Sequence, residues 1–145
     1  VWTESQDCAA EEISQKLIAT SQPGIEVIRV YPVDLNEAAL PAQVISAEFR
    51  VVLLDPCEIS QLEIAINWIM AQTSILREKR GKTYDLRPLI EALEVELPAG
   101  QEGVVIKMCL AAREAATGRP EEVLAQLALD PYAARYIRSK LLFAN

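Results

Sequence analysis

The chain has 145 residues, 51% apolar and 24% charged, which is the composition of one ordinary globular domain able to bury its own core. No apolar run approaches the ~20 residues of a membrane-spanning helix, and the net charge of −7 argues against general coating of nucleic acid. Three dispersed cysteines, Cys8, Cys57 and Cys109, form neither a disulfide framework nor a metal-binding spacing and point to a reducing cytoplasm. The charge is unevenly spread. Residues 1–76 hold 11 acids and 3 bases, whereas residues 77–145 hold 10 acids and 11 bases, so an anionic partner is expected to approach the second half.

In chain order, Asp7 is placed to cap a helix from Cys8 to about Thr20, with Ile13, Leu17 and Ile18 on one face. Pro23-Gly24 ends it. The β-branched run Ile25 to Tyr31 reads as a strand, and residues 32–45 as a connection between subdomains. A second strand covers Glu48 to Leu54. Asp55-Pro56-Cys57-Glu58 has the pattern of a helix start, and Ile59, Leu62, Ile66 and Ile69 form a buried stripe, widened by Trp68 and Met70, as far as Gln72. A β-hairpin follows. With Arg80-Gly81 as its turn, Lys79 faces Lys82, Arg77 faces Tyr84 and Ile75 faces Leu86, which makes one side of the ribbon apolar at its base and cationic at its tip. Pro88 breaks the ladder. Strands are expected at 93–97 and 104–110, joined by a loop. Pro120, Glu121 and Glu122 suit the start of another helix, Asp130-Pro131 that of a short helix or turn through Tyr136. The end, 137–143, reads equally as helix tail or last strand. The start, Val1-Trp2, is neither a signal peptide nor an initiator Met and suggests a piece of a longer chain.

The expected fold is α+β: a mostly antiparallel sheet with helices packed on one face, of ferredoxin-like subdomain character. Residues 1–45 are read as the remnant of a preceding α/β half-domain plus linker, and 46–145 as the main domain.

Four stretches carry a resemblance. Ala47-Glu48-Phe49-Arg50-Val51 is similar to an "aEYrV" strand, Lys82 to Ile90 to a "K-x-x-D-L-R-P-L-I" signature, Gly118 to Leu124 to an "x-R-P-E-E-V-L" helix start, and Pro23 to Val27 to "P-x-G-I-x-V". In this order they resemble the radical-SAM-associated family, a domain of unknown function found beside or fused to B12-binding radical-SAM proteins. The family's preceding half-domain, with its "S-H-L-D" helix, and the C-x-x-x-C-x-x-C cluster motif are absent from these residues. The resemblance therefore implies that iron–sulfur cluster, SAM and cobalamin chemistry belongs to a partner radical-SAM domain or protein. It assigns no catalytic residue.

Each residue group has two readings. Arg77, Lys79, Arg80, Lys82 and Tyr84, with Arg87 second, are either RNA contacts or a solvated hairpin tip; facing lysines repel, and a polyanion would relieve that. Asp85 with Arg87 is either an oriented carboxylate or a structural pair. Arg119 either grips an anion at a helix start or pairs with Glu121 or Glu122. Cys57, at an expected helix start, is where a thiol pKa can fall, and Cys109 reads as core. Glu94 and Glu96 share the outer side of a strand. The leading expectation is a non-catalytic accessory domain that positions tRNA, rRNA or a ribosomal substrate for a radical-SAM partner. The alternatives are a docking module without nucleic-acid contact and a free-standing enzyme whose pocket would gather Asp85, Arg87, Arg119 and a tyrosine within hydrogen-bond reach.

Overall fold

The computed structural model describes residues 9–34, 36–79, 81–96 and 103–144. The chain forms two compact units, Val1–Ala38 and Ala39–Asn145. In the first, helix α1 spans Ala10–Thr20, as its periodicity predicts. The expected cap, Asp7, lies outside the described residues, and Ala9 occupies the N-cap without a side-chain bond. At the other end Thr20 Oγ1 donates to Lys16 O (2.8 Å) and Ser21 Oγ to Leu17 O (2.7 Å), which satisfies two terminal carbonyls. The strand expected over 25–31 does not form. These residues have no ladder partner among the described residues, and Ile28 is 92% exposed. β-branched side chains favour a pleated, half-buried surface, and among the described residues of this unit no strand offers one.

The second unit opens with a single helical turn, α2 (Leu40–Gln43), and strand β1 (Val44–Leu53). Helix α3 spans Ile59–Ala71, three residues later than the Asp55-Pro56 signal suggests. The reason is tertiary. Leu53 N donates to Val104 O and Leu54 N to Ala133 O, so the chain leaves the sheet only after Leu54 and needs 55–58 to climb onto the helix layer. Hairpin strands β2 (Leu76–Lys79) and β3 (Lys82–Asp85) are followed by a 3₁₀ turn at Arg87–Leu89. Strands β4 (Ile90–Glu96) and β5 (Val105–Arg113), the short β6 (Ala116–Thr117), helix α4 (Pro120–Gln126) and strand β7 (Ala134–Phe143) complete the unit.

The sheet runs β4-β5-β1-β7, with every pair antiparallel and β6 added to β5. The four main strands therefore lie in chain order second, third, first, fourth, with α3 after the first and α4 after the third. That is the β-α-β-β-α-β arrangement of ferredoxin-like domains, with the β2–β3 hairpin inserted between the first helix and the second strand. Alternation along each strand sends Val51, Leu53, Leu93, Ile106, Met108 and Leu110 to one face. There they pack with Leu62, Ile66 and Ile69 of α3, Val123 and Leu124 of α4, and the hairpin base, Ile75 and Leu86. One face thus carries both helices. Trp68, expected to widen the α3 stripe, is instead 55% exposed; Met70 does pack on the core's margin.

Two turns required tertiary information. Asp130-Pro131 starts a turn rather than a helix: Asp130 Oδ1 accepts from Tyr132 N (2.8 Å), and the Tyr136 hydroxyl donates to Pro131 O (2.6 Å). The following residues become β7 because β1 still has an unpaired edge to offer them. Gly118 enters α4 so close to the 3₁₀ turn that a Cβ there would sit 2.9 Å from Leu89 O.

Helix α4 ends in a Schellman motif. Leu129 N donates to Leu124 O and Ala128 N to Ala125 O, with Ala128 left-handed at φ 58°. Glycine adopts that conformation without the Cβ penalty. Ala128→Gly should therefore raise stability by about 0.5–1 kcal/mol, measured by urea unfolding; an unchanged or lower midpoint would show that the αL strain is already relieved.

Candidate functional site

The inserted hairpin concentrates the sequence's basic residues, and its register is the one its residues predict: Lys79 opposite Lys82, Arg77 opposite Tyr84. Leu86 N donates to Ile75 O (2.8 Å), which continues the ladder to the buried base. The cationic side does not simply face solvent. It lies along α4, where Lys79 Nζ forms an ion pair with Glu122 and Arg77 Nη1 donates to Gln126 Oε1 (3.2 Å). Tyr84 hydrogen-bonds Glu122 as well. Lys82 and Arg119 are exposed, and Arg80 lies outside the described residues.

Glu122 is the hub of this contact. Burial pushes its carboxyl pKa up, but hydrogen bonds from Lys79 and Tyr84 and the nearby charges of Lys79 and Arg119 outweigh that and hold it below its ordinary value. Burial raises the Tyr84 phenol, and Glu122 raises it further against the opposing Arg77, so Tyr84 remains a neutral donor. The mutual repulsion of the tip lysines is thus reduced inside the molecule. The charge of Arg119 acts on the same carboxylate.

Arg87 has an architectural position. Its Nε donates to Gln72 O (3.1 Å), Nη2 to Met70 O (3.1 Å) and Nη1 to Ile90 O (2.7 Å). A guanidinium at the end of α3 meets carbonyls that have no partner within the helix and the negative pole of its dipole. Asp85 accepts from Ile75 N (2.8 Å) and Arg87 N (3.0 Å). Its carboxyl is held below the ordinary range first by the Ile75 N–H, then by Ser74. Asp85 and Arg87 are thereby turned toward backbone.

The sheet face opposite the helices carries cross-strand charges around a shallow depression of ≈ 290 Å³, lined in part by Glu48, Arg50, Glu94 and Lys107. Glu96 accepts from Arg50 (3.3 Å) and lies 3.5 Å from Lys107, so it is paired rather than simply solvated. Glu91 accepts from Ser46 Oγ (2.6 Å), Arg113 Nη2 (3.0 Å) and Cys109 Sγ (3.5 Å). The Ser46 hydroxyl is the main cause of its lowered pKa. Cys109 belongs to this outer face, not to the core. Burial, then Glu91, pushes its thiol up to about 11, so it is protonated at neutral pH. Cys57 precedes α3 by two residues, and burial raises its thiol rather than lowering it. Among the described residues no three His, Cys, Asp or Glu side chains form a metal-ligand set, and no helix is long and apolar enough to cross a membrane.

Sequence reasoning missed Glu122 and Gln126 as partners of the hairpin. No local signal joins residues 43 and 49 positions apart. It also missed the outward exposure of Trp68. The available sign was that α3 is apolar on nearly every side, with Ile64 and Trp68 lying off the Leu62–Ile66–Ile69 stripe.

A family model described as "Uncharacterized protein conserved in bacteria (DUF2344)" matches residues 2–120. No curated protein and no solved structure matches the chain.

Two outcomes follow from the geometry. Arg87→Ala should cost about 2–3 kcal/mol, since three backbone carbonyls lose a charged donor; a loss under 0.5 kcal/mol in urea unfolding would contradict it. Glu122 is more acidic folded than unfolded, so its contribution is complete above its unfolded value, ordinarily 4.5, and is lost as pH falls through the lower folded value. The Glu122→Gln protein should be less stable than wild type by about 1 kcal/mol at pH 7. The gap should narrow on acidification below about pH 4.5, and a pH-independent gap would show that the carboxylate charge is not involved.

Proposed function

The chain belongs to the family of uncharacterized proteins conserved in bacteria, DUF2344, and we propose that it is an accessory domain, itself non-catalytic, that docks onto a B12-binding radical-SAM protein and helps to present that protein's substrate. The observation that carries this reading is the two-sided character of α3. Leu62, Ile66 and Ile69 face the core, while Ile64 and Trp68, four residues apart and so on one face, remain 62% and 55% exposed. A tryptophan beside an aliphatic residue on a rigid helix is the composition of a protein-binding hot spot. The resemblance to domains that accompany radical-SAM proteins supports the choice of occupant. Iron–sulfur cluster, SAM and cobalamin would then sit on that partner, and this domain would contribute affinity and orientation.

A second reading, that the domain itself holds an RNA or ribosomal substrate, is supported by exposed cations in the second half of the chain. The structural engagement of Arg77, Lys79, Tyr84 and Arg87 leaves Lys82, among the described residues, as the exposed member of the group first considered for that role.

The docking reading is tested by co-elution of the domain with its radical-SAM protein and by calorimetric titration. Ile64→Glu with Trp68→Glu should weaken binding by at least about thirtyfold, a loss of 2 kcal/mol or more, while circular dichroism stays unchanged. Undiminished affinity in that folded variant would sink it.

A further inference from the structure

We infer that the free edge of β7, with the turn that leads into it, binds the phosphate backbone of a single-stranded nucleic acid. The inference deepens the substrate-holding reading and is independent of docking through α3. Among the described residues strand β7 pairs with β1 alone, which leaves its other edge open there. Along it Arg135, Arg138 and Lys140 are all exposed, and none forms an ion pair among the described residues. This is the reverse of the hairpin, where the cations meet α4. Arg135 and Lys140, in register with Val52 and Glu48, lean to the outer face and Arg138, in register with Phe49, to the other, so the three flank the edge over five steps of strand, about 16 Å, over which a flexible strand presents several phosphates. Just before them Tyr132 stands 94% exposed at the crest of the turn, held there because Asp130 Oδ1 accepts its backbone N–H (2.8 Å). An aromatic platform beside a row of cations is the composition that grips single strands: bases stack and phosphates pair.

Three features favour this occupant over others. A second copy paired edge to edge would set cations against cations. An added peptide strand needs a regular edge, but the β1–β7 ladder shifts register between Glu48 and Phe49, where Ser139 Oγ turns back to Glu48 O (3.2 Å). A phosphodiester chain needs no such register. The acids nearby do not cancel the row: Asp130 is tied to the Tyr132 turn, and Glu48, in register with Lys140, makes no ion pair with it.

The test is fluorescence anisotropy of labelled oligo-uridine and oligo-thymidine, about 12 nucleotides long, with the whole chain between about 50 and 200 mM salt. Three contacts predict a log–log slope near −2 for single strands. Arg135→Glu/Arg138→Glu/Lys140→Glu should abolish binding, and Tyr132→Ala, in an exposed turn where folding is not at stake, should weaken it by about tenfold without changing the slope. Lys16→Glu, on α1, should bind as wild type does. Tighter binding of uridine than thymidine strands would assign RNA; equal binding would assign single strands of either sugar. No binding at 50 mM salt, binding unaffected by the triple variant, or equal affinity for poly-glutamate would overturn the inference. None of those results would bear on the Ile64/Trp68 docking surface.

Discussion

The fold depends most on the position of one guanidinium. Arg87 gathers Met70 O, Gln72 O and Ile90 O, and those three atoms mark the end of α3, the way into the inserted hairpin and the first residue of β4. A ferredoxin-like domain ordinarily passes from its first helix to its second strand by a short connection. Here that connection is lengthened by a two-stranded ribbon, and a ribbon of two strands is marginal by itself. Arg87 closes its base from below while Asp85 accepts the N–H groups of Ile75 and Arg87. With Leu86 and Ile75 buried against the core, the insertion becomes part of the sheet–helix body. Because charged groups hydrogen-bonded to backbone are costly to strip of their partners, this junction has little freedom to move.

A basic sequence run need not make a basic surface. In the hairpin, Lys79, Arg77 and Tyr84 meet Glu122 and Gln126 of α4, and the partly buried Glu122 carboxylate is stabilised by its neighbours. Coulomb energy between groups in contact and partly shielded from water exceeds that of the same charges dispersed in solvent. Arg135, Arg138 and Lys140, less concentrated in sequence but carried on one edge strand, are exposed and make no ion pair among the described residues. Likewise the outer sheet face, charged in sequence, is largely self-neutralising through Arg50, Lys107 and Glu96. Surface ion pairs of this kind contribute little to stability but mask charge effectively. The exposed Ile64 and Trp68 on α3 then stand out as apolar surface that the domain's own packing leaves uncovered.

Much of the second unit was legible in the residues. The period-3.6 stripe of α3, the hairpin register and the Pro120 helix start all follow from short-range chemistry, and with them the α+β class. The failures share one cause. The run Ile25–Tyr31 has strand propensity but no ladder partner among the described residues. The Asp55-Pro56 cap signal is overridden because Leu54 is still hydrogen-bonded to Ala133 O. The ambiguous 137–143 segment becomes a strand because β1 has a free edge. In each instance the deciding partner lies tens of residues away.

By itself, then, the sequence determined periodicities, turns, the apolar core stripe and where the bases cluster along the chain, since these rest on neighbours within one turn of helix or one hairpin. Only the tertiary structure decided which charges are cancelled, which helix face is surplus to the core and which strand edge stays open. Those outcomes depend on contacts such as Lys79 with Glu122 and Arg87 with Met70 O, whose members meet only when the sheet brings distant segments together. Charge and burial are properties of that meeting, not of either residue alone.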